Sequence, residues 1–179
     1  MKKRDVNNSL KILFSYIMTI VLFVTFIPIV MSVAKSNLLP FLKGYSFLAF
    51  VIVALMVYSD SWKIGSIEKK PGNEIKAYPL KGLLLGIMAF SPFILIGLLY
   101  PILNFEAEAL NRVKHVAFNT MLAPFYFLIK AGNESAIAYI LSFFIIPGIT
   151  MFGYFLGYKG YELSRLFKKS SPVNSAKKQ

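Results

Sequence analysis

The sequence predicts an all-α polytopic membrane protein: four transmembrane helices, both termini cytoplasmic, and an interfacial helix between helices 3 and 4. Three observations carry that expectation. The first is a set of four apolar stretches, at about 10–34, 41–58, 80–103 and 136–158. A helix needs about 20 mostly apolar residues to cross the hydrocarbon core of a bilayer. No charged residue stands in the central turns of any of the four stretches. The second is composition: 56% of the 179 residues are hydrophobic and mean hydropathy is +0.61. A water-soluble domain of this length has no need of so much apolar surface. The third is the uneven placing of Lys and Arg around the stretches.

Lys2, Lys3 and Arg4 precede the first stretch. Lys63, Lys69, Lys70, Lys76 and Lys81 fill the connection between the second and third. Lys159, Arg165, Lys168, Lys169, Lys177 and Lys178 follow the fourth. The other two connections hold only Lys35 and Lys43, then Arg112, Lys114 and Lys130. Cytoplasmic loops are enriched in Lys and Arg, so both termini are expected inside. Tyr58, Trp62, Tyr78, Tyr158 and Tyr161 then fall near the inner interface, and Tyr45 and Tyr100 near the outer one. Amphipathic rings favour those depths. Ser32-Val33-Ala34 resembles a small-residue cleavage site. The apolar run before it is longer than the ~7–15 residues of a signal-peptide core, so the first span is expected to stay uncleaved.

Residues 1–167 read as a single transmembrane helical domain, and 168–179 as a disordered basic tail poor in apolar residues. The inner loop 59–79 is polar, and its Pro71-Gly72-Asn73 suits a type II turn. The outer segment 106–130 is different. Leu110, Val113, Ala117 and Met121 recur at helical spacing, with Glu106, Glu108, Arg112 and Lys114 elsewhere around the turn. That pattern fits a helix lying in the outer interface. An apolar run, 122–129, follows and is broken by Pro124. It is too short to span, and a fifth span would put the basic tail outside. The part at 119–130 is therefore either interfacial or shallowly re-entrant.

Several function classes are disfavoured. The net charge of +12 flanks membrane spans and reads as topogenic, with no nucleic-acid partner expected. The chain has no Cys, which removes disulfides, thiolate metal sites and thiol catalysis. No ionisable residue sits well inside a span, where proton pathways and charged pore rings need one. His115 is the only histidine. Glu108 stands two turns from it on one helix face, and Glu106 is nearby. A solvated face explains these residues better than an acid–base or metal pair. No Gly-x-Ser-x-Gly elbow occurs. No catalytic residue, metal or cofactor is expected.

What remains is packing. Gly82-Leu-Leu-Leu-Gly86 opens the third span and Gly153-Tyr-Phe-Leu-Gly157 closes the fourth. Small residues four apart share a face and let two helices approach closely. The two stripes are expected in the same leaflet, meeting each other, with dimerisation through either as the alternative. Pro28, Pro92 and Pro147 lie inside spans and are expected to kink them. Ser91, Asn119 and Thr150 are the positions where a polar cavity near the midplane would form. The expected function is that of an accessory or regulatory subunit, with the lipid bilayer and another membrane protein or itself as partners. The alternative is a transport component for a neutral or amphipathic solute.

The basic inner loop leading into the Gly82 span, with Phe152-Gly153-Tyr154-Phe155-Leu156-Gly157-Tyr158-Lys159-Gly160 closing the last one, resembles small four-span membrane proteins of low-GC Gram-positive bacteria. The resemblance covers about 58–168. It implies a multi-pass protein of the bacterial cytoplasmic (inner) membrane and carries over no functional residue.

Overall fold

A computed structural model of the chain describes residues 3–34, 37–70, 78, 80–103 and 105–161. All regular structure among them is helical: α1 (Lys3–Ala34), α2 (Leu38–Glu68), α3 (Lys81–Leu99), α4 (Glu108–Met121), a 3-10 turn (Ala123–Phe125), α5 (Tyr126–Ala131) and α6 (Ala136–Lys159). Four of these, α1, α2, α3 and α6, are long and apolar enough to cross a membrane. The turn expected at 71–73 and the tail at 168–179 lie outside the described residues.

The four long helices form a closed ring in the order α1–α2–α6–α3, with α2 against α6 the most extensive interface. Glycine sets how closely they approach. A methyl on Gly82 would lie 2.5 Å from Tyr154 Cβ and 2.9 Å from Met151 Cα, and one on Gly86 would lie 2.7 Å from Pro147 Cα. α3 therefore docks on α6 through its glycine stripe. The α6 stripe turns to a different neighbour. A methyl on Gly153 would lie 2.9 Å from the Tyr58 carbonyl oxygen, and one on Gly157 would press on the Trp62 carbonyl. Gly65 of α2 answers them, 2.9 Å from Tyr158 N by the same measure. The two stripes thus face different helices, α6 being gripped on both sides, instead of meeting each other. Small-residue stripes report that a backbone comes close and say nothing of whose it is.

α2 departs from its expected boundary. The helix continues ten residues past Tyr58 to Glu68, through residues the sequence places in a polar loop. Ser61, Ile64, Gly65 and Glu68 recur on one buried face along α6. Helical periodicity survives there although apolarity does not. α6 is bounded by well-formed caps. The Ser135 hydroxyl accepts from Ala138 N at 3.3 Å, and Gly160, at φ 81°, closes the other end by donating from its N to the Leu156 carbonyl at 2.9 Å.

Helix lengths differ, and the difference shapes the other end. At about 1.5 Å per residue, α1 and α2 run roughly 45 Å and α3 under 30 Å. The α1–α2 hairpin therefore outreaches α3. The segment after α4 fills the space that is left. Leu122, Ala123, Pro124 and Phe125 are all buried. Phe125 packs against Tyr16 of α1 and Phe50 of α2, with ring centroids 6.2 and 5.8 Å apart. Those partners lie ~16 Å and ~27 Å along their helices from Asp5 and Glu68. The turn is therefore inserted between the long helices instead of lying across their ends.

Candidate functional site

A buried ionic cluster joins all four long helices at the end where α3 begins. Lys81 Nζ donates to both carboxylate oxygens of Glu68, at 2.9 and 3.0 Å, and lies 2.8 Å from Asp5 Oδ1 in an ion-pair contact. The Tyr154 hydroxyl donates to Glu68 Oε2 at 2.7 Å. Asp5 comes from α1, Glu68 from α2, Lys81 from α3 and Tyr154 from α6. The side chains of Lys81 and Glu68 are 4% and 0% exposed. An ammonium has three N–H donors, and three carboxylate oxygens surround this one. Desolvating a pair offsets much of its Coulomb attraction, so the cluster adds little net stability. Its consequence is register: only one relative placement of the four helices satisfies it.

Further polar contacts lie near the cluster and about 12–15 Å along the helices from it. Ser15 Oγ donates to Asp60 Oδ2 at 2.8 Å, tying α1 to α2. Trp62 Nε1 donates to the Tyr161 carbonyl at 2.7 Å, and Lys69 Nζ to the Lys159 carbonyl at 3.1 Å, tying α2 to the end of α6. Sequence reasoning counts Lys81 only among the basic residues leading into the third span and misses Glu68 and Asp5 altogether. The available signal was that both are acidic residues in strongly basic surroundings.

The inserted turn is fixed by hydrogen bonds from the long helices to its backbone. The buried Tyr16 hydroxyl donates to the Met121 carbonyl at 2.7 Å. Ser46 Oγ donates to the Ala123 carbonyl at 2.8 Å and accepts from Phe127 N at 3.1 Å. Irregular backbone away from water requires such partners. Tyr16 is in turn clamped edge-on by Phe90 and Phe93 of α3, at 4.8 and 5.0 Å.

The three positions named for a polar cavity are not brought together. Thr150 is buried and donates to the Ile146 carbonyl of its own helix at 2.8 Å. Asn119 is exposed on α4. Ser91 is exposed and donates to the Met88 carbonyl at 2.9 Å. That carbonyl is the one that Pro92, lacking an N–H, leaves free. Ser91 thus repairs the backbone next to a proline. Pro28, Pro92 and Pro147 each stand within a continuous helix, Pro147 buried under Gly86.

α4 docks through Phe118 and Met121, while Leu110, Val113 and Ala117 are exposed. The acidic residues and the histidine of this segment do not converge. Glu108 pairs with Arg112 at 2.6 Å, whereas His115 Nδ1 shares a 2.7 Å hydrogen bond with the Tyr100 hydroxyl. Tyr100 also stacks on Phe118, centroids 4.0 Å apart. At the end of α5, Lys130 pairs with Glu134, and their hydrogen bond holds the Lys130 ammonium above the ordinary lysine range and the Glu134 carboxyl below the ordinary glutamate range. Among the described residues no group of three or more His, Asp and Glu is placed to hold a metal ion.

No protein-family model matches the chain, and no curated protein or solved structure matches it either.

Proposed function

We propose that this chain is an accessory or regulatory subunit of a bacterial cytoplasmic membrane, with both termini cytoplasmic, acting through helix–helix contacts with another membrane protein or a second copy. The observation that carries the reading is the projecting part of the α1–α2 hairpin. Beyond the end of α3, Val24, Phe26, Ile29, Met31 and Val33 of α1 and Leu39 and Phe41 of α2 are all exposed. Paired helices projecting past their own bundle offer an apolar surface for another helix. Most polar groups inside the bundle, by contrast, bond to one another or to helix backbone, with Ser9 Oγ and the Tyr58 hydroxyl the buried exceptions among the described residues. The orientation follows from the Lys and Arg bias, and it places the ionic cluster at the inner end and α4 in the outer interface.

The test is purification in mild detergent with crosslinking and mass spectrometry. The proposal expects a stable membrane partner, or a second copy, crosslinked through residues 24–41. A monomer with no crosslinks there contradicts it. The second reading, transport of a neutral or amphipathic solute, draws on the inserted turn at 123–125, since broken helical segments line solute paths in transporters. A small molecule retained between that turn and the long helices would favour it.

A further inference from the structure

We propose that the bundle holds one anionic phospholipid, its acyl chain in an apolar cavity between α1, α3 and α4 and its phosphate at Lys114. The cavity has a volume of about 600 Å³. Small-molecule pockets typically enclose about 300–1,000 Å³. Ile17 and Ile20 of α1, Phe93 and Ile96 of α3, and Ala117 and Phe118 of α4 line it. It lies alongside the C-terminal half of α3, where α4 packs with only Phe118 and Met121 buried.

Lys114 lines this cavity and also a second depression beside it, formed with Tyr100, Glu108, Asn111, Arg112, His115 and Val116. The ammonium therefore stands between an apolar cavity and a depression that carries charged and polar side chains, which is the geometry of an amphiphile with a charged head. No carboxylate pairs with Lys114 among the described residues. Its Nζ donates to the carbonyls of Tyr100 and Leu103 and sits 4.8 Å from the Tyr100 ring centroid. Two of its three donors are engaged, and one is left for an acceptor. Glu108 is the one acid in the depression and is already paired to Arg112. Asn111 is occupied by the Phe105 backbone, through both its amide oxygen and its amide nitrogen. A phosphate is an acceptor suited to a lysine that has no carboxylate partner and stands beside hydrocarbon. The proposal holds whichever protein partner the hairpin takes.

The experiment uses the full chain in detergent. Native mass spectrometry counts retained lipid, and thermal melts are recorded with added phosphatidylglycerol or phosphatidylcholine of the same chains, and with inorganic phosphate alone. The expected result is one retained phosphatidylglycerol and a larger stabilisation by it than by phosphatidylcholine. Lys114→Gln should lose that preference by about fivefold, the factor matching ~1 kcal/mol for one basic residue at an anionic lipid surface. Lys114→Arg should keep it. Ala117→Trp, which fills the cavity, should lose the response to both lipids. Equal stabilisation by the two lipids in the wild type overturns the proposal. So does an unchanged preference in Lys114→Gln, or protection by inorganic phosphate that equals that of phosphatidylglycerol.

Discussion

The glycine contacts of α6 give a direct test, because two glycines on that one helix differ completely in surroundings. A methyl on Gly148 would meet nothing within 4 Å, whereas one on Gly157 would press on the Trp62 carbonyl oxygen and lie 2.9 Å from the Trp62 carbonyl carbon. The obstacle is backbone, which cannot rotate aside, so α2 and α6 must separate. Alanine exceeds glycine in a helix interior by about 1 kcal/mol, and both variants gain that amount. Forcing an atom into a closely packed interface costs typically about 1–3 kcal/mol. The difference between Gly148→Ala and Gly157→Ala cancels the shared gain and isolates the packing cost. At ~2–4 °C per kcal/mol for a chain of this size, Gly157→Ala should melt about 2–12 °C below Gly148→Ala. Trp62 is the only tryptophan and belongs to the strained contact itself. Its fluorescence in detergent therefore reports the melt where the perturbation acts. Equal melting temperatures would refute the claim that α2 and α6 are held in backbone contact.

Other outcomes follow from single contacts. Lys81→Met leaves the buried Glu68 without its cation and should destabilise the bundle by about 3–5 kcal/mol, with Lys81→Met/Glu68→Leu recovering a large part in thermal or denaturant unfolding. Tyr16→Phe removes the hydroxyl that holds the Met121 carbonyl. The orphaned acceptor should cost about 1–3 kcal/mol and raise protease cleavage within 119–130. Asn133 and Glu134 stand at φ 49° and 56°, so Asn133→Gly should leave stability unchanged or raise it, measured by the same melt. The Lys130–Glu134 contact should persist through neutral pH. The lowered Glu134 carboxyl loses it only as pH falls below the ordinary glutamate range, and the raised Lys130 ammonium only as pH rises above the ordinary lysine range. An NMR titration of the Glu134 carboxyl showing an ordinary or raised midpoint would contradict this.

Much of the architecture is legible in the chain because bilayer thickness sets a length that composition alone reveals. The helical cores at 10–34, 80–103 and 136–158 needed only that rule. The end of α2 was not legible in the same way. Its last ten residues carry Ser59, Asp60, Ser61, Lys63 and Glu68, which read as a loop until α6 supplies a surface for Ser61, Ile64, Gly65 and Glu68. The ionic cluster was hidden for a related reason. Asp5, Glu68, Lys81 and Tyr154 are far apart in sequence, and only the ring of helices brings them within hydrogen-bonding distance. The 122–129 run was legible as apolar and proline-broken, but the same pattern serves a surface strip and an inserted turn. What decides is the shortness of α3 and the waiting hydroxyls of Tyr16 and Ser46. The glycine stripes announced close packing without naming the partner, and α6 turned its stripe to α2. Ser91 was legible as polar in a span. Its use at the Met88 carbonyl follows from Pro92 one residue on, a local reading that the spacing already allowed.

In the proposed topology the four-span bundle has its ionic cluster at the cytoplasmic end and both termini in the cytoplasm. Because the chain has no Cys, a single introduced cysteine reports its own side of the membrane without background. Labelling by a membrane-impermeant thiol reagent in intact cells, then after permeabilisation, is the most direct measurement. Cysteines at Asn73 and Gln179 should react only after permeabilisation, and one at Ala107 should react in intact cells. Labelling of Asn73 or Gln179 in intact cells, or protection of Ala107, would contradict that topology.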